Sequence, residues 1–277
     1  MSLVVENVSY EYNDNGIRVK ALDNVNYEFE SGKFTAIAGH TGSGKSTLLR
    51  LLSGLDKSEG EITINGIPVT SKEGKSAVRM VFQYPEYQLF EATVLKDVMF
   101  GPKNLGLKNE EAEQEARKAL LSVGFDEENF LKSPFGLSGG QKRLAAIAGI
   151  LAMNPEVILL DEPTIGLDPA HAERVMKLFK DLQENQGKTV IMVSHSMDEI
   201  AEYADRMFVL KGGQIIGDGT PAEMFNDAGL LSNTSLDLPE TLKALKKVSE
   251  KGYKPDLSKI RKKDCFEEIL RVLKEAN

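Results

Sequence analysis

The stretch that decides how this chain folds is Gly39-His40-Thr41-Gly42-Ser43-Gly44-Lys45-Ser46. An apolar run, Phe34 to Ala38, precedes it, and an apolar-periodic segment from Thr47 to Leu55 follows it. These flanks predict a strand, a glycine-rich turn and a helix, in that order. The eight residues fit the pattern G-x-x-x-x-G-K-[ST], in which such a turn holds phosphate groups.

The residue types of this loop follow from the shape and charge of a polyphosphate. Several backbone N–H groups must point into one concavity, which glycines allow without steric cost, and the next helix adds free amides at its positive end. Lys45 supplies a point charge for the β- and γ-phosphates, and the Ser46 hydroxyl can ligate Mg²⁺. We therefore assign the loop and Thr47 to nucleotide binding. The alternative is a flexible loop that happens to hold three glycines and a lysine.

The composition is that of an ordinary globular protein. The 277 residues, 41% hydrophobic and 27% charged, are enough for one large domain or two modest ones. No apolar run approaches the roughly 20 residues of a membrane span, and no secretory signal is expected at the N-terminus. The formal net charge of −8 argues against a general nucleic-acid binder, although a local basic patch stays open. The single Cys265 excludes an internal disulfide and is interpreted as a buried apolar residue.

Two strands are predicted at the start of the chain, at 3–12 and 21–30, with turn residues Asn13-Asp14-Asn15-Gly16 between them. An aromatic side chain at the end of the first strand could stack on an adenine. Tyr12 is the first candidate for this role and Tyr10 the second. A surface tyrosine on an edge strand is the alternative.

The next segments predict a β piece followed by helices. Asn65-Gly66 lies between apolar runs and predicts a hairpin beside the nucleotide core. A buried strand, 78–82, then ends at Gln83. Helical spacing follows at 91–100 and 108–123, and we place an inserted helical subdomain at about 84–150.

A second candidate anion site is Leu137-Ser138-Gly139-Gly140-Gln141, which precedes an apolar-periodic helix predicted at 142–153. Free amides at the start of that helix would again face outward at the positive end of its dipole. An ordinary helix N-cap is the alternative, but it needs the serine and not both glycines.

Two doubly apolar runs predict parallel strands whose ends carry reactive side chains. Val157 to Leu160 ends in Asp161, suited to hold Mg²⁺, and Glu162, suited to activate a water at the terminal phosphate. Solvated strand-end acids are the alternative. The strand at 189–194 is followed by His195, for which we expect a γ-phosphate contact. His171 is given no role.

The rest of the chain predicts a turn from Thr164 to Pro169, a helix to about Glu184, a closing hairpin at 207–216 and helices over 222–277. The tail exceeds what a nucleotide core needs. Its predicted helices carry apolar residues at Leu242, Leu245, Val248, Phe266, Ile269, Leu270 and Leu273.

With these segments placed, residues 1–225 resemble an ATP-binding cassette (ABC) ATPase. The loop matches Walker A, Gln83 the Q-loop, Leu137 to Gln141 the signature, and the strand ending at Asp161 Walker B. Leu167-Asp168 matches the D-loop and His195 the switch histidine. The resemblance implies an α/β fold: a P-loop NTPase core with a mostly parallel sheet, an antiparallel β subdomain, the helical insertion and a C-terminal helical extension at 226–277.

The same resemblance implies ATP hydrolysis with Mg²⁺ in a head-to-tail dimer. Glu162, His195 and Gln83 would be catalytic, and Ser46, Gln83 and Asp161 would hold the metal. Ser138 and Gly140 would serve the partner's nucleotide, and Gly139, Gln141 and Asp168 are assigned to nucleotide binding with them. Partner identity, a second copy or a different ATPase, stays open. We also expect dimer contacts from the tail, with regulation or packing as alternatives.

A narrower resemblance rests on Phe82 to Phe90 and on Leu144 to Met153. With the C-terminal helices, these look like the energy-coupling factor (ECF) transporter ATPases, including the cobalt-import type. The loop residues His40-Thr41-Gly42 look like those of the second, A-prime ATPase of such pairs. The family implies a membrane T component docked near Gln83 to Phe90, a substrate-binding S component, uptake of vitamins or transition-metal ions, and a peripheral place on the cytoplasmic face of the cell membrane. The alternatives are a non-transport cassette ATPase acting on nucleic acid or ribosomes, and a binding module without hydrolysis.

Overall fold

The computed structural model describes residues 2–14, 17–234 and 236–275. Asn15 and Gly16 of the predicted first turn lie outside the described residues. The strands are β1 (Leu3–Asp14), β2 (Ile17–Phe29), β3 (Phe34–Ala38), β4 (Glu59–Ile64), β5 (Ile67–Pro68), β6 (Val78–Val81), β7 (Val157–Asp161), β8 (Thr189–Val193), β9 (Arg206–Lys211) and β10 (Gln214–Gly219).

The helices are α1 (Lys45–Leu52), α2 (Lys72–Ala77), α3 (Val94–Asn104), α4 (Asn109–Ser122), α5 (Gly139–Leu151), α6 (Pro169–Gln186), α7 (Met197–Tyr203), α8 (Pro221–Asn226), α9 (Ala228–Thr234), α10 (Glu240–Glu250) and α11 (Lys262–Glu275). Short 3-10 turns lie at Pro85–Gln88, Glu127–Asn129 and Pro134–Gly136. In the part of the chain that the structure describes, no helix has the length and apolar character that a membrane crossing needs.

The strands form two sheets, as predicted. The larger has six strands in the order β10-β9-β3-β8-β7-β6, of which β9, β3, β8, β7 and β6 run parallel to one another. Its edge strand β10 returns antiparallel along β9. Four parallel strands, β3, β8, β7 and β6, therefore end side by side at one edge, where ligands bind in open α/β sheets.

The smaller sheet is antiparallel, with four strands in the order β2-β1-β4-β5. The Asn65-Gly66 hairpin joins β4 to β5, with φ of 53° and 76°, both in the left-handed region that a two-residue turn of this kind requires. One hydrophobic cluster combines Leu3 and Ile62 of this sheet with Leu49 of α1 and Leu159 of β7. Burial of α1 between the sheets fixes the start of that helix, and with it the glycine-rich loop.

The helices differ from the sequence predictions in some of their boundaries and in one element that was not predicted. α5 begins at Gly139 and not at 142, because Ser138 Oγ accepts from Gln141 N (3.3 Å) while Gln141 Oε1 accepts from Ser138 N (3.1 Å). α3 continues beyond 100 through Pro102, and Leu105 N closes its last turn on Gly101 O (3.1 Å). The sequence reading missed the short helix α2, which precedes β6.

The C-terminal helices pack on the core through only some of the apolar residues that they carry. Leu242 and Leu245 are fully buried, whereas Phe266, Leu270 and Leu273 are exposed. α11 instead buries Cys265, Glu268 and Val272. Burial of Cys265, also predicted, raises the pKa of its thiol.

Candidate active site

The glycines of the loop after β3 are required by the close approach of other backbone. A Cβ on Gly39 (φ 146°) would lie 2.3 Å from Leu210 O, and one on Gly44 (φ 106°) would lie 2.5 Å from Ala21 O. Both positions also have positive φ, which L side chains rarely adopt. The loop is therefore held by strands on both sides, and its shape is fixed before any ligand binds.

Lys45 and Ser43 lie buried in this loop. Lys45 is 5% exposed, and its Nζ donates to Gly39 O (2.7 Å) and His40 O (3.0 Å). Burial lowers the pKa of Lys45, while the charges of Glu162 and Asp161 oppose that shift. Ser43 Oγ is buried and has no hydrogen-bond partner among the described residues. A buried hydroxyl without a partner and a desolvated ammonium fit a polyphosphate, whose oxygens would accept from both.

Asp161 and Ser46 form the candidate magnesium site. Ser46 Oγ donates to Asp161 Oδ1 at 3.3 Å, although the two residues come from different elements, α1 and β7. Burial is the largest cause of the raised pKa of Asp161, and the charge of Glu162 is the next. Among the described residues no group of three or more His, Cys, Asp or Glu side chains could hold a metal. One carboxylate and one hydroxyl suit Mg²⁺, which takes its other oxygen ligands from phosphates and water.

Glu162 and His195 meet because their strands are neighbours. Asp161 of β7 pairs with Val193 of β8, and the backbone N–H of Glu162 donates to Val193 O at 3.0 Å. Glu162 has a φ of 49°, a left-handed conformation that is unfavourable for a residue with a side chain and is concentrated at functional sites. Its Oε1 lies 3.2 Å from His195 Nε2. The two predicted catalytic side chains therefore form a pair beside the candidate magnesium site.

A third carboxylate, which the sequence reading missed, joins the loops that follow β7 and β8. Glu199 Oε1 accepts from Thr164 Oγ1 (2.6 Å), and its Oε2 accepts from Ser194 Oγ (2.8 Å). Glu199 lies in the first turn of α7. It thereby fixes the segment after Glu162 to the segment that carries His195. Its place one helical turn after His195 was the available signal.

Tyr12 lies beside the helix that follows the loop. Its hydroxyl is 3.0 Å from Thr47 Oγ1, and its ring meets the ring of Tyr10 edge to face at a centroid distance of 5.0 Å. Tyr12 is 42% exposed. An exposed ring anchored at its hydroxyl suits the predicted stacking on adenine, which stays a prediction.

The signature and the D-loop residues form a separate group. Asp168 caps α6, and its Oδ2 lies 2.6 Å from His171 Nδ1. Hydrogen bonds from His171, first its backbone N–H, lower the pKa of Asp168. A Cβ on Gly140 would lie 3.3 Å from His171 Cδ2, so His171 closes against the signature. Among the described residues, no hydrogen bond or ion pair connects the segment 138–141 to the glycine-rich loop.

Gln83 follows β6, whose Val81 pairs with Leu160 of β7, and this places Gln83 at the same sheet edge as Asp161. Its carbonyl accepts from Arg143 Nη2 at 3.1 Å. Arg143 and its partner Glu86 are functional candidates that the sequence reading missed. A basic residue entering the apolar run Leu144 to Ala148 was the signal for Arg143.

Comparison with known proteins identifies the family. The ABC transporter family model matches residues 22–165. The energy-coupling factor transporter ATP-binding protein EcfA2 of Clostridioides difficile is 46% identical over 283 residues, which cover 99% of this chain and 98% of that protein. EcfA2 of Clostridium acetobutylicum is 44% identical over 290 residues, covering 100% of this chain and 99% of its own.

Solved structures agree with this assignment. The structure of cbiO1 from Clostridium perfringens, part of the ABC transporter complex cbiONQ, is 37% identical with a TM-score of 0.72, covering 88% of this chain and 98% of its own. The ATP-binding cassette MJ0796, solved as a dimer in a post-hydrolysis state bound to ADP and Pi, is 32% identical with a TM-score of 0.71. The match covers 80% of this chain and 99% of that structure's chain. The chain is therefore an ABC ATPase and belongs to the family of energy-coupling factor transporter ATP-binding proteins.

Proposed function

We propose that this chain hydrolyses ATP at the edge of its larger sheet and thereby powers an importer of the ECF type. The observation that carries the proposal is the Glu162–His195 pair, 3.2 Å apart, beside the Ser46–Asp161 pair on neighbouring strands. Identity of more than 40% to transporter subunits along the whole chain favours transport over the non-transport alternative.

The loop residues bind and orient the triphosphate. Lys45 Nζ exchanges its bonds to Gly39 O and His40 O for oxygens of the β- and γ-phosphates, and the buried Ser43 hydroxyl gains the partner that it lacks. Ser46, Asp161 and Gln83 would hold Mg²⁺, which when bound neutralises charge on the β- and γ-oxygens. Tyr12 stacks on the adenine.

Glu162 acts as general base in hydrolysis. Its carboxylate accepts a proton from a water whose oxygen attacks the γ-phosphorus, while the bond from that phosphorus to the β-phosphate oxygen breaks and ADP leaves. His195 Nε2, held against Glu162, orients that carboxylate and contacts the γ-phosphate. The left-handed backbone at Glu162 places it at this point instead of along the strand.

The signature serves the nucleotide of a partner ATPase, which is either a second copy or a paired relative. Its separation from the glycine-rich loop within one chain, and the dimer in which MJ0796 was solved, support this arrangement. We propose that Ser138, Gly139, Gly140, Gln141 and Asp168 face the partner's ATP. The EcfA2 name of the relatives supports the A-prime member of a pair.

A double variant tests the composite site. E162Q with ATP and Mg²⁺ should accumulate as a dimer, with itself or with its paired ATPase, in light scattering. E162Q/S138R should bind ATP equally well in its own loop but stay monomeric, whereas the control E162Q/S122R, with the same substitution at the end of α4, should still dimerise. Dimer formation by E162Q/S138R would contradict the proposal.

The membrane T component docks in a groove between the 3-10 turn Pro85–Gln88, α3 and α5. The groove has a volume of about 230 Å³, and its apolar lining includes Leu89, Phe90, Phe100, Ala146, Ile150 and Met153. Phe90 and Phe100 are 55% and 44% exposed although their rings meet edge to face at 4.9 Å. Exposed aromatics beside a groove are typical of a protein-binding surface. Docking here would hold the chain at the cytoplasmic face of the membrane.

Pull-down from native membrane tests the docking surface. The wild-type chain should retain a T component and an S component, which identify the substrate as a vitamin or a metal ion. F90A should retain neither at unchanged thermal stability, and the control L55A, which truncates an exposed leucine outside the groove, should retain both. Retention by F90A would contradict the assignment.

We also propose the division at 225/226, near the end of α8, between ATPase domain and tail, with residues 84–150 as the helical insertion.

A further inference from the structure

Arg143 is a buried side chain that bonds both the 3-10 turn Pro85–Gln88, here called the docking turn, and the loop that follows Glu162. It lies in the second turn of α5 and is 3% exposed. Its Nε and Nη2 donate to the two carboxylate oxygens of Glu86, each at 3.1 Å. A guanidinium that faces a carboxylate with two parallel bonds is fixed in orientation as well as in position.

The other donors of Arg143 go to backbone carbonyls on two different loops. Nη2 also donates to Gln83 O (3.1 Å), and Nη1 donates to Pro163 O (3.3 Å) and Ile165 O (2.9 Å). All five N–H groups of the guanidinium are therefore used, within one buried plane. One edge of that plane holds the turn Pro85–Gln88, and the other holds the loop that begins directly after Glu162.

We propose that Arg143 is a positioning residue that transmits the occupancy of the docking turn to the catalytic carboxylate. This inference rests on the proposed docking of the membrane component at that turn. When the membrane component moves Glu86, the guanidinium moves as one rigid body and carries Pro163 and Ile165 with it. Because Pro163 follows Glu162 in the chain, the general base then changes position relative to the γ-phosphate.

The chemistry of arginine explains why this position is sensitive. A buried charge that loses its partner is costly, so Glu86 and Arg143 move together and do not separate. Lysine keeps the charge but has no planar fork, and it cannot bond a carboxylate on one edge and two carbonyls on the other. A purely electrostatic role would survive the change to lysine, and a positioning role would not.

The test compares E86Q and R143K with wild type, each as the isolated ATPase and in the complex with the paired ATPase and the membrane components. The readouts are kcat and KM for ATP in both settings. The ratio of kcat in the complex to kcat of the isolated ATPase measures the stimulation, and so the coupling. Wild type should be stimulated by the complex. In both variants the stimulation factor should be about tenfold smaller than in wild type, which is within the usual range of coupling between sites. The KM for ATP should change less than about twofold. The matched control is R174K, since Arg174 also bridges two elements, through Gly124 O at 3.3 Å, but touches neither loop.

A second readout needs no partner. In the isolated chain, E86Q should speed hydrogen exchange at the amides of Ile165 and Leu167, which bond to Glu162 O and Thr164 O. R174K should leave both unchanged. Stimulation equal to wild type in E86Q and R143K overturns the inference, as does unchanged exchange in E86Q. A wild-type complex that assembles without stimulation, or fails to assemble, contradicts the docking proposal instead, and the exchange measurement then decides the role of Arg143.

Discussion

Glu162 and His195 face each other across the ends of two neighbouring parallel strands, with Oε1 and Nε2 at 3.2 Å. The strand register, in which Asp161 pairs with Val193, sets this distance. Neither residue could be paired with the other from its position in the chain. We propose that the attacking water of hydrolysis lies beside this pair.

Replacing Glu162 with glutamine removes the carboxylate that we propose as general base but keeps the shape of the side chain. We expect ATP binding to be retained and phosphate release to fall by about 10²- to 10⁴-fold, the usual contribution of such a base. The control is E156Q, because Glu156 precedes the same strand at its opposite end. A phosphate-release assay measures the effect, and turnover of E162Q at the wild-type rate would remove Glu162 from this role.

The D161N variant should be more stable than wild type when no nucleotide or magnesium is bound. Burial raises the pKa of Asp161 from 3.8, so the folded chain binds this proton more tightly than the unfolded chain. The free energy of unfolding therefore falls as pH rises from the ordinary pKa to the raised one, and the loss persists above that window.

Thermal unfolding of D161N and wild type across this pH range measures the difference. The higher melting temperature of D161N at pH 7 should shrink as the pH falls through the window, while Mg²⁺-dependent hydrolysis is lost. A melting temperature of D161N at or below that of wild type at pH 7 would contradict the account.

E199Q tests the carboxylate that ties Thr164 to Ser194. A neutral amide accepts more weakly than a carboxylate and cannot accept on its nitrogen, so the loops of Glu162 and His195 lose their fixed distance. We expect kcat to fall about tenfold or more, with KM for ATP little changed. The control is E202Q on the same helix, since Glu202 accepts from Lys262 N in the tail. Equal kcat in E199Q and wild type would argue against this role.

The tail should show an acid-dependent contribution from Glu268. Its carboxylate accepts from Arg271 Nη2 (2.6 Å) and from Asp256 N (2.6 Å), and the bonds to Arg271 are the main reason why its pKa falls from 4.5 to about 2. A lowered pKa stabilises the folded state fully above 4.5, and this stabilisation is lost as the pH falls toward about 2.

E268Q should therefore exchange the amide hydrogens of α11 faster than wild type at pH 7, and the difference should shrink as the pH falls from 4.5 toward about 2. The control is E267Q, because Glu267 is exposed and its partner Lys263 is 4.0 Å away. A difference between E268Q and wild type that does not depend on pH would show that packing, and not charge, is responsible.

Local residue patterns predicted most of the fold. The alternation of doubly apolar strands with amphipathic helices gave the parallel sheet, and Asn65-Gly66 gave the hairpin of the smaller sheet, since these signals lie within a few residues of each other. Patterns did not decide which residues of the tail are buried. Phe266 and Leu270 have core-like spacing on α11, yet the structure buries Cys265 and Glu268 instead.

The sequence by itself determined the chemistry of this protein: a loop that can hold phosphate, carboxylates after a buried strand, a histidine after the next strand, and a second glycine-rich helix start. Tertiary structure alone decided which of these groups meet. Strand order and register bring Asp161 to Ser46 and Glu162 to His195, and the buried guanidinium of Arg143 connects Glu86 to Pro163. The physical reason is that residue type fixes what a side chain can bind, whereas its partners depend on packing between segments far apart in the chain.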